Sequence, residues 1–129
     1  LVPLVPDVLK IIGACPRESE FVFTTTGRSP VSGFSKTKSR LEEIISKIRA
    51  TRGDSEDLAD WRFHDFRRTF STHASETLGV EPHIIEATIN HISGTKAGVA
   101  GVYNRATYLT GRREALSRWA TYVIELARA

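Results

Sequence analysis

Hydrophobic positions recur with a helical period over much of the chain. Between Lys36 and Ala50, Leu41, Ile44, Ile45 and Ile48 fall at i, i+3, i+4 and i+7, the single apolar stripe of an amphipathic helix. From Asp65 to about Leu78, Phe66, Phe70, Ala74 and Leu78 recur every four residues, and Gly79 supplies a stop. Pro82 stands where a first-turn proline belongs, and Ile84, Ile85, Thr88 and Ile89 form the buried side of a short helix that ends at His91. A last helix, from about Asn104 to near the end, carries its stripe on Leu116, Trp119, Ala120, Val123, Ile124 and Ala127. Gly111 interrupts the start of that pattern and predicts a kink or hinge there.

The first third of the chain is more mixed. Residues 1–5 read as the tail of a strand. Pro6 and Asp7 open a short helix through Val8, Ile11 and Ile12, with Asp7 as its cap. Gly13 to Glu20 reads as a turn, and Phe21-Val22-Phe23-Thr24-Thr25, β-branched and aromatic, as a short strand. Thr26 to Ser35 and residues 51–60 read as loops, and residues 92–101, with Gly94, Gly98 and Gly101, as a flexible connection. The expected fold class is mainly α with a small residual β element.

Composition narrows the classes. A chain of 129 residues, 40% hydrophobic and 26% charged, suits one soluble domain with a core of its own. The one cysteine, Cys15, cannot close an intrachain disulfide, and no apolar run is long enough for a membrane span or a signal-peptide core. Cys15 and the histidines lack the compact spacing of a zinc site. The chain contains no methionine, so it is expected to be a piece of a longer protein. The net charge of +3 is unevenly placed. Residues 1–60 hold nine basic and nine acidic residues, whereas residues 61–129 hold nine basic and six acidic, together with all four histidines. Charge alone favours a solvated basic surface as the reading of that asymmetry, with a polyanionic partner as the alternative.

The candidate chemistry lies in the same half. In His64-Asp65-Phe66-Arg67-Arg68, residues 64, 67 and 68 share one helix face, opposite Phe66 and Phe70, which are expected in the core. One turn thus presents an imidazole and two guanidiniums. A guanidinium grips a phosphate through two parallel hydrogen bonds, and an imidazole beside it can pass a proton. His91 closes the next helix. Gly101-Val102-Tyr103-Asn104-Arg105-Ala106 sets a tyrosine just after a glycine-rich loop. A phenol, with a pKa near ~10, becomes a nucleophile only when its proton is removed or its anion stabilised, which nearby cations favour. Tyr108 is the competing tyrosine, read as a packing residue beside Leu109. His73 and His83 are read as surface or packing residues.

Taken together, the order His64, Arg67, His91, Tyr103 within forty residues resembles the tyrosine recombinase family, in particular phage-type integrases. Phe63 to Phe70 resembles the family's His-x-x-Arg box, and Gly79-Val80-Glu81-Pro82 through Asn90-His91 resembles the helix leading to its second histidine. Gly101 to Leu109, Arg112-Arg113 and Trp119-Ala120-x-Tyr122 resemble the nucleophile segment of integrases from phages and genomic islands. The resemblance is dense from residue 61 to 122.

The resemblance implies the C-terminal part of an integrase catalytic domain. It implies attack of Tyr103 on a DNA phosphodiester, a covalent 3′-phosphotyrosyl link, a released 5′-hydroxyl, and reversal by a second strand. Arg67 would clamp the non-bridging oxygens, His64 would assist proton transfer from the phenol, and His91 would donate to the phosphate, with Arg68 and Arg105 as further DNA contacts. No metal or nucleotide cofactor is implied. The implied partners are duplex DNA carrying recombination sites and further copies of the chain in a tetramer, in the bacterial cytoplasm. The stripe of the last helix is wide enough to bury against its own core or a neighbouring protomer. The family also places an arginine and a hairpin lysine upstream of the His-x-x-Arg box. Neither has a counterpart here, since Lys36 and Lys38 stand before a later helix, so these 129 residues alone are expected to cleave DNA poorly. The gap of twelve residues from His91 to Tyr103 is longer than in compact members. Two other classes compete. One is a non-catalytic helix-turn-helix-like DNA-binding module, disfavoured because its second helix carries no Arg or Lys. The other is a type IB topoisomerase-like enzyme.

Overall fold

The computed structural model describes residues 1–17, 19–54, 56, 58–91 and 107–128. The chain is mainly helical, and no strand forms among the described residues. The helices are α1 (Pro6–Ala14), α2 (Phe34–Arg52), α3 (Phe63–Glu76), α4 (Pro82–Thr88) and α5 (Leu109–Arg128). They fall into two compact units, one of residues 1–13 with 62–129 and one of residues 14–61.

The first unit holds the core. Phe70 and Ala74 of α3, Val80, Ile85 of α4 and Ala115 of α5 are buried together, with Leu78, Ile84, Ile89, Leu116 and Trp119 packed around them. The ring of Phe70 meets Trp119 edge-on, centroids 5.4 Å apart. The turn between α3 and α4 depends on Gly79, whose φ of 58° lets the Val80 N–H reach back to the Ala74 carbonyl (2.8 Å). The Arg118 guanidinium of α5 donates to the Leu78 carbonyl at the same turn. The loop joining α3 and α4 is thereby tied to α5.

Two details of the sequence pattern change here. Phe66 is not in the core but 58% exposed. A spacing of four overshoots a turn of 3.6 residues by about 40°, so Phe66, Phe70, Ala74 and Leu78 spiral around α3 rather than stack. Only the middle of the series faces α4 and α5. The ring of Phe66 lines a shallow hollow of about 400 Å³ with Trp119, Tyr122, Val123 and Leu126. The second detail is Gly111. Helix α5 runs through it without a break, and a Cβ at Gly111 would lie 2.8 Å from Ile84 Cδ1. It is a close-approach glycine between α4 and α5, not a hinge.

The second unit has no buried residue among those described. Its long helix, α2, ends at Gly53, where the chain takes φ 78° and the Asp54 N–H returns to the Arg49 carbonyl (3.0 Å). Leu41, Ile44 and Ile48 of the predicted stripe are exposed. Lys38 donates to Glu42 (2.6 Å) and Asp60 (3.2 Å) and lies over the Trp61 ring. The hydrogen bond to Glu42, and less strongly that to Asp60, holds the Lys38 ammonium above the ordinary lysine range.

The expected β element is absent among the described residues, and the reason is local. Val31 donates to the Phe23 carbonyl (2.8 Å), which is one rung of a ladder. At the next residue the Thr24 hydroxyl accepts from the Gly27 N–H (2.9 Å) and donates to the Ser29 carbonyl (2.6 Å). A side chain that satisfies the backbone in this way closes a turn and leaves no room for further rungs. Residues 1–5 likewise form no strand; the Val5 carbonyl instead accepts the Leu9 N–H (3.0 Å), the first bond of α1.

Candidate functional site

Helices α3 and α4 of the first unit diverge from the Gly79 turn and leave a groove of about 540 Å³ between them. One wall is a single face of α3, with His64, Arg67, Arg68, Ser71, Thr72 and Ser75. Their spacing of three, four, seven, eight and eleven residues from His64 is that of one helix face. The other wall is Pro82, Ile85, Glu86 and Ile89 of α4, with His91 at its end. Four residues singled out from the sequence, His64, Arg67, Arg68 and His91, therefore line one groove although they come from two helices.

Asp65 organises the start of this wall. Its Oδ2 accepts the Arg62 N–H (2.8 Å), which closes the first turn of α3 from the side chain at its third position. The negative charge also suits the positive end of the helix. Its Oδ1 lies 3.5 Å from Arg68 Nη1. Arg67, one residue earlier, makes no ion pair or hydrogen bond among the described residues. The two arginines thus differ: Arg68 has an acid to lean on, whereas Arg67 offers its whole fork to the groove.

His91 is delivered by a backbone device. Asn90 takes φ 53°, and the His91 N–H donates to the Glu86 carbonyl (2.9 Å). This is the six-to-one bond of a Schellman end, with Asn, the best non-glycine residue for it, in the left-handed position. The chain turns back at the last turn of α4 and sets His91 against the groove.

Tyr108 stands apart. It is half-buried at the start of α5, takes φ 48°, and packs its ring on His83 with centroids 4.8 Å apart. Neither Tyr108 nor His83 lines the groove. His73 is also a packing residue. Its Nδ1 lies 3.2 Å from the Tyr122 hydroxyl and 3.3 Å from that of Thr77, and its ring stands beside Trp119. Tyr103 and Arg105, and the glycine-rich connection 92–101, lie outside the described residues. Comparison of the chain with family models, curated proteins and solved structures finds no match.

Sequence reasoning missed the lower half of the α3 wall. Ser71, Thr72 and Ser75 continue the register of Arg67 and Arg68 by one and two turns. Extending the helical face past the charged residues would have found them. The place of Glu86 in the groove depends on how α4 packs. Chemically, the groove offers two guanidiniums, two imidazoles and three hydroxyls against one carboxylate, a donor-rich surface suited to an anion with several oxygens.

Proposed function

We propose that this chain forms part of the catalytic core of a tyrosine recombinase that cuts and rejoins DNA strands at specific sites, for integration or excision of a mobile element. The observation that carries this reading is the groove. It gathers His64, Arg67 and His91, three residues chosen from their order in the sequence, on one surface with an arginine that has no partner among the described residues.

In the proposed reaction a phosphodiester lies along the α3 wall. Arg67 holds two non-bridging oxygens and offsets the charge that grows on them in the transition state. Tyr103 supplies the attacking oxygen. A P–O bond to the tyrosine forms, the P–O5′ bond breaks, and the phenol proton leaves through His64 acting as base. His91 donates to the phosphate. The family's upstream arginine and lysine would complete the clamp and protonate the 5′-oxygen.

The test is covalent capture. The protein containing this chain is incubated with a nicked duplex carrying its recombination site, and the protein–DNA adduct is resolved on a denaturing gel. Tyr103→Phe is expected to abolish the adduct and leave DNA binding within about twofold, because only the nucleophilic oxygen is lost. Loss of the adduct in Tyr108→Phe with capture retained in Tyr103→Phe would reassign the nucleophile.

A further inference from the structure

The groove is longer than one phosphate needs. From Arg67 to Ser75 the α3 wall runs about 12 Å, at ~1.5 Å per residue. One DNA strand advances only ~3.4 Å along the duplex axis per nucleotide. Beyond the arginines that wall carries Ser71, Thr72 and Ser75. None of these three hydroxyls makes a hydrogen bond among the described residues. Elsewhere in the helices Ser39, Thr51, Thr88 and Thr121 donate to the carbonyl one turn back, while the Ser46, Thr69 and Ser117 hydroxyls, like those of the groove, donate to nothing among the described residues. What sets Ser71, Thr72 and Ser75 apart is their place on the groove wall in the register of Arg67.

Resting on the reading of the groove as a DNA phosphate site, we infer that Ser71, Thr72 and Ser75 form a second, neutral subsite that holds the phosphates adjoining the one gripped by Arg67. Hydroxyls are common donors to phosphate oxygens, and such contacts fix the register of a strand without reading its bases. The opposite wall sets the orientation. The carboxylate of Glu86 is unfavourable to phosphate and the half-buried Ile89 offers apolar surface, so the phosphates keep to α3 and the sugars face α4. The subsite therefore places the strand lengthwise and decides which phosphate reaches Arg67.

A charged and a neutral contact differ in their salt dependence. Each phosphate neutralised by a cation adds about 0.9 to the slope of log K against log salt, whereas a hydroxyl releases no counterion. The experiment measures binding of the chain to a 30-base-pair fluorescent duplex by anisotropy between 50 and 200 mM salt, for three proteins. Arg67→Ala is expected to lower the slope by about one. The triple variant Ser71→Ala, Thr72→Ala, Ser75→Ala is expected to weaken binding about tenfold at every salt concentration with the slope unchanged. Alanine is the better helix former, so a thermal melt of the triple variant should match or exceed the parent. Loss of slope in Arg67→Ala with parental affinity in the triple variant overturns the subsite and leaves the phosphate site standing. A parent chain that does not bind the duplex at 50 mM salt overturns both.

Discussion

Arg67 and Arg68 are neighbours of one chemical type, yet they play different parts because Asp65 reaches only the second. Asp65 in turn stands where it does because a carboxylate at the third position of a helix can close its first turn. The box His64-Asp65-Phe66-Arg67-Arg68 thus mixes groups that face the groove with one that builds the helix start. Asn90 is a builder of the same kind. Its left-handed backbone costs a residue with a branched Cβ roughly 1–2 kcal/mol, and glycine nothing. Asn90→Val is therefore expected to lower the melting temperature by several degrees, at about 4–8 °C per kcal/mol for a unit of this size, while Asn90→Gly stays near the parent. Equal melting of the two variants by calorimetry would show that the turn does not depend on this conformation.

Helices α4 and α5 owe their approach to one missing side chain. A Cβ at Gly111 would stand 2.8 Å from Ile84 Cδ1 and 3.3 Å from its Cγ1. Alanine there gains about 1 kcal/mol of helix propensity and loses about as much or more to overpacking. Ile84→Val removes the Cδ1 that clashes, at a cost of about 1 kcal/mol by itself. The double variant Gly111→Ala, Ile84→Val is expected to be more stable than the sum of its singles by about 1 kcal/mol, a coupling read from urea unfolding. Additive effects would mean that the two helices meet elsewhere. The periodicity announced both helices and the buried Ile85, but it also put Val123 and Ala127 on the stripe of α5, and both are exposed. It did not announce that Ala115 is buried to 2%, because a small residue contributes little to an apolar stripe and its burial depends on which part of α5 the other helices reach.

The two units differ in what holds them together. The core residues all belong to the unit of residues 1–13 and 62–129. Helix α2, in the other unit, has no buried residue over its 19 positions. Most helical stability in proteins comes from packing of an amphipathic face rather than from propensity, and surface ion pairs such as Arg49–Asp54 add little. Amide hydrogen exchange is expected to be slowest in α3 and α5 around Phe70, Ala74 and Ala115, and faster in α2 by a factor of about a hundred or more. Equal protection of α2 and α3 would show that α2 is stabilised by contacts beyond those described.

The sequence by itself determined where the helices of this chain lie. Helix formation is a local matter of apolar spacing, of Pro82 at a start, and of Gly79 at a stop. It also determined that His64, Arg67 and Arg68 share a face, because residues three and four apart on a helix must. It could not decide that Phe66 would be left exposed, that Gly111 would be a contact point, or that a turned threonine would displace a strand at Phe21–Thr25. Each of these depends on what a second segment brings alongside. The meeting of His91 with Arg67 is of the same kind. Twenty-four positions separate them, and only the Gly79 turn, the packing of α4 and the left-handed Asn90 bring them to one groove.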